Sequence, residues 1–175
     1  MKYLYIIIFA ILIGCADTNQ SILKTDDELS SNIKMLVEKY ENNDFEVSQY
    51  YADDVITRVN NTELTGFENL TAGFKAHHDM LYNNIELKDV YVHTNYFASG
   101  EIWSNAWLTW TGTGKTTGKE YSNRAHFDYK WENGKIVVVQ GYFDEAIEKT
   151  IAYVHLSLIH ISEPTRLLSI WYAVF

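Results

Sequence analysis

The chain of 175 residues has a single cysteine, Cys15, and a single proline, Pro164. One cysteine cannot build a disulfide framework, so the fold must be held by its core alone. Basic residues are scarce: 14 Lys and Arg stand against 23 Asp and Glu, for a net charge of −9. That balance argues against nucleic acid or anionic lipid headgroups as partners. No apolar run is long enough to span a bilayer as a helix. No internal repeat, low-complexity tract, P-loop, dinucleotide fingerprint, reactive thiol or Ser-His-Asp constellation is present, so no cofactor is expected.

What is there begins with Lys2 and the apolar stretch Tyr3 to Ile13, which has the form of a signal-peptide h-region over residues 1–14. It ends Leu12-Ile13-Gly14-Cys15, which resembles a bacterial lipobox, with Ile13 where a smaller residue is usual. Cleavage there would leave Cys15 as the lipid attachment point. The protein would then be held on a bacterial membrane in the cell envelope, on the periplasmic side or the surface. Residues 15–28 are mostly polar and read as a tether. At the other end, 156–175 resembles translated sequencing adapter: Leu-Ser-Leu-Ile-His-Ile-Ser-Glu-Pro-Thr-Arg opens it and Tyr-Ala-Val-Phe closes it. That tail is set aside from fold reasoning. Without Lys2, Arg166 and Glu163 the acidic excess grows by one charge.

One domain remains, at residues 29–154. A helix is expected over about 28–42, with Leu29, Ile33, Leu36, Val37 and Tyr40 on one face. Asn42-Asn43-Asp44 ends it and can cap a second short helix carrying Phe45, Tyr50 and Tyr51. Val55 to Val59 is β-branched and reads as a strand closed by Asn60-Asn61. Thr65-Gly66-Phe67-Glu68 matches a capping box opening a helix over about 66–82. Strands follow at about 84–96, 101–111, 119–132 and 135–143. Asn133-Gly134 marks a tight primed turn between the last two, and Asp144 caps a final helix to about Val154. Helices first and a four-strand meander after them predict an α+β fold.

This order, with Tyr51-Ala52-Asp53-Asp54 before the first strand, Glu132-Asn133-Gly134-Lys135-Ile136, and Tyr142-Phe143-Asp144, resembles the SnoaL-like branch of the nuclear transport factor 2-like superfamily. The resemblance implies a cone: a bent antiparallel sheet wrapped round N-terminal helices, with an open end suited to small apolar molecules. It also implies that the sheet can pair with a second copy. It does not imply one activity, since the superfamily spans isomerases, hydrolases, cyclases and members without catalysis. The acid of steroid-isomerase-like relatives would fall at Val59, and that of epoxide-hydrolase-like relatives at Gly141. Neither residue can take a proton, so those reactions are not expected.

Two groups of residues compete for the site. In 119–132, period two puts Tyr121, Asn123, Ala125, Phe127, Tyr129 and Trp131 on one face and Ser122, Arg124, His126 and Asp128 on the other. The aromatic face is the natural core face. A ligand pocket is expected from Tyr40, Tyr51, Phe74, Trp107, Tyr121, Asn123 and Phe127, with Trp103 sharing the Trp107 face and Trp110 opposite. The rival is an enzyme in which His126 is the acid or base, Asp128 orients it, Arg124 holds an oxyanion, and Tyr142 assists. His77 and His78 are adjacent on a helix and diverge by about 100°, so no metal site is expected. A binding domain, an enzyme and a membrane-tethered interaction module all remain open.

Overall fold

A computed structural model of the protein describes residues 20–144 and 146. Cys15, the expected signal segment and the adapter-like tail lie outside the described residues, as does the helix expected after Asp144 apart from Ala146. The chain runs β1 (Ile22–Lys24), α1 (Glu28–Glu41), β2 (Tyr51–Val59), β3 (Thr62–Thr65), α2 (Phe67–Ala76), β4 (Tyr82–Tyr96), β5 (Ile102–Gly114), β6 (Glu120–Glu132) and β7 (Lys135–Tyr142). All seven strands form one sheet in the order β1-β4-β5-β6-β7-β2-β3. Every pairing is antiparallel except β2 with β7. The fold is α+β, as the element order implies.

The apolar stripe of α1 explains why it lies in the concavity. Ile33 is fully buried, Leu36 and Val37 nearly so, and Leu29 and Tyr40 pack at the margin. Each such side chain contributes about 1.5–3 kcal/mol by leaving water. Asp27 starts the helix by accepting from the Ser30 N–H at 3.2 Å. The sheet can wrap this helix because its longest strand bends. Pairing of β4 with β5 slips between Asn83 and Glu86 and again between Lys88 and Tyr91. Asn84 and Asp89 sit at these slips with φ of 52° and 53°. Short polar side chains tolerate that left-handed conformation, and bulges of this kind curl a sheet.

A buried hydroxyl chain ties helix to sheet. Trp131 Nε1 donates to Ser104 Oγ at 2.8 Å, Ser104 meets Thr94 Oγ1 at 2.7 Å, Thr94 meets Ser30 Oγ at 2.8 Å, and Ser30 reaches the Lys24 carbonyl at 3.2 Å. An indole can only donate and a carbonyl only accept, so every proton in the chain points toward Lys24. Ser30, Thr94 and Ser104 are fully buried. The chain therefore spends no unpaired polar group in joining β6, β5, β4, α1 and β1.

Several local expectations are corrected. Residues 22–24 are not tether but β1, paired to the far end of β4. The second short helix is one 3-10 turn, Ser48–Tyr50, because Tyr51 already enters β2. The capping box does not form. Thr65 is consumed in β3, a short strand that the sequence reading did not anticipate, and Gly66 caps α2 at φ 100°. The helix also ends sooner, passing into a π-helical turn at His77–Leu81. The Asn133-Gly134 turn is as expected, with φ of 51° and 74°.

Candidate ligand-binding site

The sheet and helices leave a hollow of about 90 Å³ in the cone. A single water needs roughly 10–15 Å³ on the same measure, so a small organic group fits. Its wall is apolar, with Leu36, Val37, Leu70, Leu108, Ala125 and Phe127 among the lining residues. Among the described residues, Asp44 is the only formally charged one lining it, and Asp44 is ion-paired with Lys39. Of the residues expected to form a pocket, Tyr40, Tyr51, Phe74, Asn123 and Phe127 line this hollow. Trp107 and Tyr121 do not, which corrects the expectation for both. Trp107 has the wrong strand parity and projects from the other face, half exposed. Tyr121 packs instead with Tyr82 and reaches Thr117, at a satellite cluster beside the hollow.

The polar groups of the hollow are mostly engaged. Trp110 Nε1 donates to Tyr40 Oη at 3.0 Å, and Tyr40 Oη lies 2.9 Å from His77 Nδ1. The last turn of α1 supplies Tyr40, β5 supplies Trp110, and the start of the π-helical turn supplies His77. Burial, and then the neighbouring His78, lower the His77 pKa to about 4, so the ring is neutral near pH 7. Asn123 both donates to the Asp144 carbonyl and accepts from the Asp144 N–H, at 2.8 and 3.4 Å. Tyr51 and Tyr129 are buried, and burial raises both phenol pKa values.

The four residues of the catalytic alternative lie together, but elsewhere. Tyr91, Trp107, His126 and Tyr142 form one cross-strand row over β4, β5, β6 and β7. The Trp107 and His126 rings stack at 3.8 Å and 5°, and Tyr142 covers the other side of His126 at 5.9 Å. His126 Nε2 lies 2.9 Å from Asp128 Oδ1, so side-chain reach closes the wider spacing of the strand. The approach does not meet the geometry of a hydrogen bond. Asn105 donates to the same carboxylate, and Asn95 Nδ2 donates to Asn105 at 2.7 Å. Arg124 is exposed and has no ion pair among the described residues. Arg124, His126 and Tyr142 line an open groove on the convex side with Asp89 and Trp107, and none of the four catalytic candidates lines the hollow.

A family model for the SnoaL-like domain matches residues 35–139. The chain belongs to the SnoaL-like domain family. Solved structures agree on the fold. A candidate polyketide cyclase from Xanthomonas campestris pv. campestris is 20% identical, with a TM-score of 0.58, over 71% of this chain and 95% of that one. A candidate isomerase from Bacillus subtilis gives 0.55 at 11% identity, over 73% and 96%. A nuclear transport factor 2-like protein from Anabaena variabilis gives 0.55 at 14% identity, over 66% and 86%. Among curated proteins, none matches the sequence.

Sequence reasoning missed His77, Tyr82, Trp110 and Tyr129 as residues of the SnoaL-like hollow. Parity carried the signal for two of them. Ala106, Leu108 and Trp110 share the inner face of β5, and Tyr129 shares its face with Phe127. His77 follows Leu70 and Phe74 at helical spacing, which placed it or its neighbour His78 on the apolar face of α2.

Proposed function

We propose that this SnoaL-like domain is a binding module that holds a small, partly apolar ligand in its cone. The observation carrying this reading is the hollow itself: about 90 Å³, apolar-walled, with an ion-paired aspartate as the only formal charge among the described residues that line it. A core built only for stability fills to near crystal density, and a void of this size forfeits dispersion contacts that a ligand restores. Cys15 tethers the module to the bacterial envelope through an acyl chain. The names of the structural neighbours would extend a cyclase or isomerase reaction to this chain. With His126 and Asp128 on the convex face, such a reaction would lack a chamber that excludes water.

One further observation favours a second role for the convex face. Tyr91, Trp107 and Tyr142 are large and exposed there, in one row that His126 completes. A patch of this kind suits pairing with a second copy of the chain. A thermal-shift screen of small apolar metabolites against the purified protein tests the main reading. A specific ligand at one hundred times its Kd should stabilise the fold by about 2.7 kcal/mol. If no compound of this class raises the melting temperature, and convex-face substitutions dissociate a dimer, the domain is an interaction module instead.

A further inference from the structure

Two hydroxyls in the hollow are unlike the rest. Tyr51 opens β2 and Tyr129 lies in β6, and both line the hollow with exposures of only 6% and 7%. Neither phenol oxygen has a hydrogen-bond partner among the described residues. Neither is sealed off from small molecules either, since both fall outside the set of fully occluded unpaired atoms. With the residues so deeply buried, what access their oxygens retain is through the hollow. The other polar side chains differ: Tyr40 is engaged by Trp110 and His77, Asn123 by Asp144 and Thr71 by the Phe67 carbonyl, while the Tyr82 hydroxyl is fully occluded and out of a ligand's reach.

A buried hydroxyl without a partner costs about 1–3 kcal/mol, and two on one cavity wall is a pattern that a ligand would explain. The two flank β7, Tyr51 pairing with Ile136 on one side and Tyr129 with Val139 on the other, and both line the same hollow. Both stay protonated at physiological pH, because burial disfavours the phenolate. They are therefore two donors facing one space. A carbonyl oxygen has two lone pairs and satisfies both with a single atom. A carboxylate also accepts, but among the described residues no lysine or arginine lines the hollow to offset its charge.

We propose that Tyr51 and Tyr129 form a two-donor clamp for the oxygen of a small, uncharged carbonyl compound. The clamp rests on the reading of the hollow as a ligand site and names the chemical class it takes.

Three probes of similar size separate the possibilities in titrations of the purified protein. Acetophenone carries the carbonyl, cumene replaces it with an apolar branch, and benzoate replaces it with a charged group. Acetophenone should bind about 3- to 10-fold more tightly than cumene, the range expected of neutral hydrogen bonds. Tyr51→Phe and Tyr129→Phe should each weaken acetophenone about 3- to 10-fold and leave cumene unchanged. Benzoate near neutral pH should bind at least 10-fold more weakly than acetophenone. The infrared carbonyl stretch of bound acetophenone should fall, and recover in the double variant. Both substitutions keep the ring and delete only an unpaired hydroxyl, so the fold should survive, which thermal melting verifies. Equal binding of cumene and acetophenone, or phenylalanine variants that bind acetophenone like the parent, would overturn the clamp while leaving the hollow as a ligand site. Failure of both neutral probes to bind the parent protein would remove the ligand site and the clamp with it.

Discussion

Replacing His77 with glutamine should flatten the acid limb of the stability profile. His77 ordinarily titrates near 6.5, and in the fold its pKa falls to about 4 because burial disfavours the imidazolium, with His78 adding repulsion. The sign follows from proton counting. Between these two values the unfolded chain binds a proton that the folded chain refuses. Folding stability is therefore complete above about pH 6.5 and declines as the pH falls toward 4. A difference of about 2.5 units at 1.36 kcal/mol each sets an upper bound of about 3 kcal/mol. The ring is only partly shielded by accessible surface, so about 2 kcal/mol is the working figure. Urea unfolding at intervals from pH 8 to 4 measures it, for the parent and for His77→Gln, whose side-chain oxygen can still accept from Tyr40. His78 and His93 are also shifted downward and act in both proteins, so the difference between the curves isolates His77. Parallel curves would refute the claim that His77 is held neutral in the hollow.

Other substitutions probe the scaffold. Thr94→Val removes the central link of the buried hydroxyl chain and strands the Ser104 proton and the Ser30 acceptor, for a loss of about 2–3 kcal/mol in chemical denaturation. Gly134→Ala places a Cβ at φ 74° in the β6–β7 turn and should cost about 1 kcal/mol in the same assay, with no change in ligand binding. Ala125→Leu fills the hollow from its sheet wall. It should abolish ligand-induced thermal shifts while altering the stability of the free protein by less than about 3 kcal/mol.

Much of this architecture is legible in the sequence, for identifiable reasons. Ile33, Leu36 and Val37 recur at helical spacing because one side of α1 faces the sheet. The split between Phe127 and His126 follows from the pleat, which placed the aromatic set inward and Arg124, His126 and Asp128 outward. Other features depend on contacts that no local pattern encodes. Thr65 satisfies a capping pattern, yet pairing with Ile56 in β3 takes its backbone into the sheet. Trp107 is as apolar as Trp110, and only the register of β5 decides that it stacks on His126 outside the cone. The π-helical turn that His77 opens is likewise a product of packing. Tyr51 and Tyr129 could be assigned to the inner face, but their lack of partners appears only once the surrounding side chains are placed.

The most direct test of a ligand-holding cone is where a bound molecule makes its contacts. Intermolecular nuclear Overhauser effects from acetophenone to a labelled Ala125 methyl and to the Leu108 methyls are the measurement, since both residues line the hollow. A ligand held in the cone gives strong signals to these methyls and none to Trp107 or Tyr142. Contacts to Trp107 and Tyr142 in place of Ala125 and Leu108 would put the ligand on the convex face and contradict that reading.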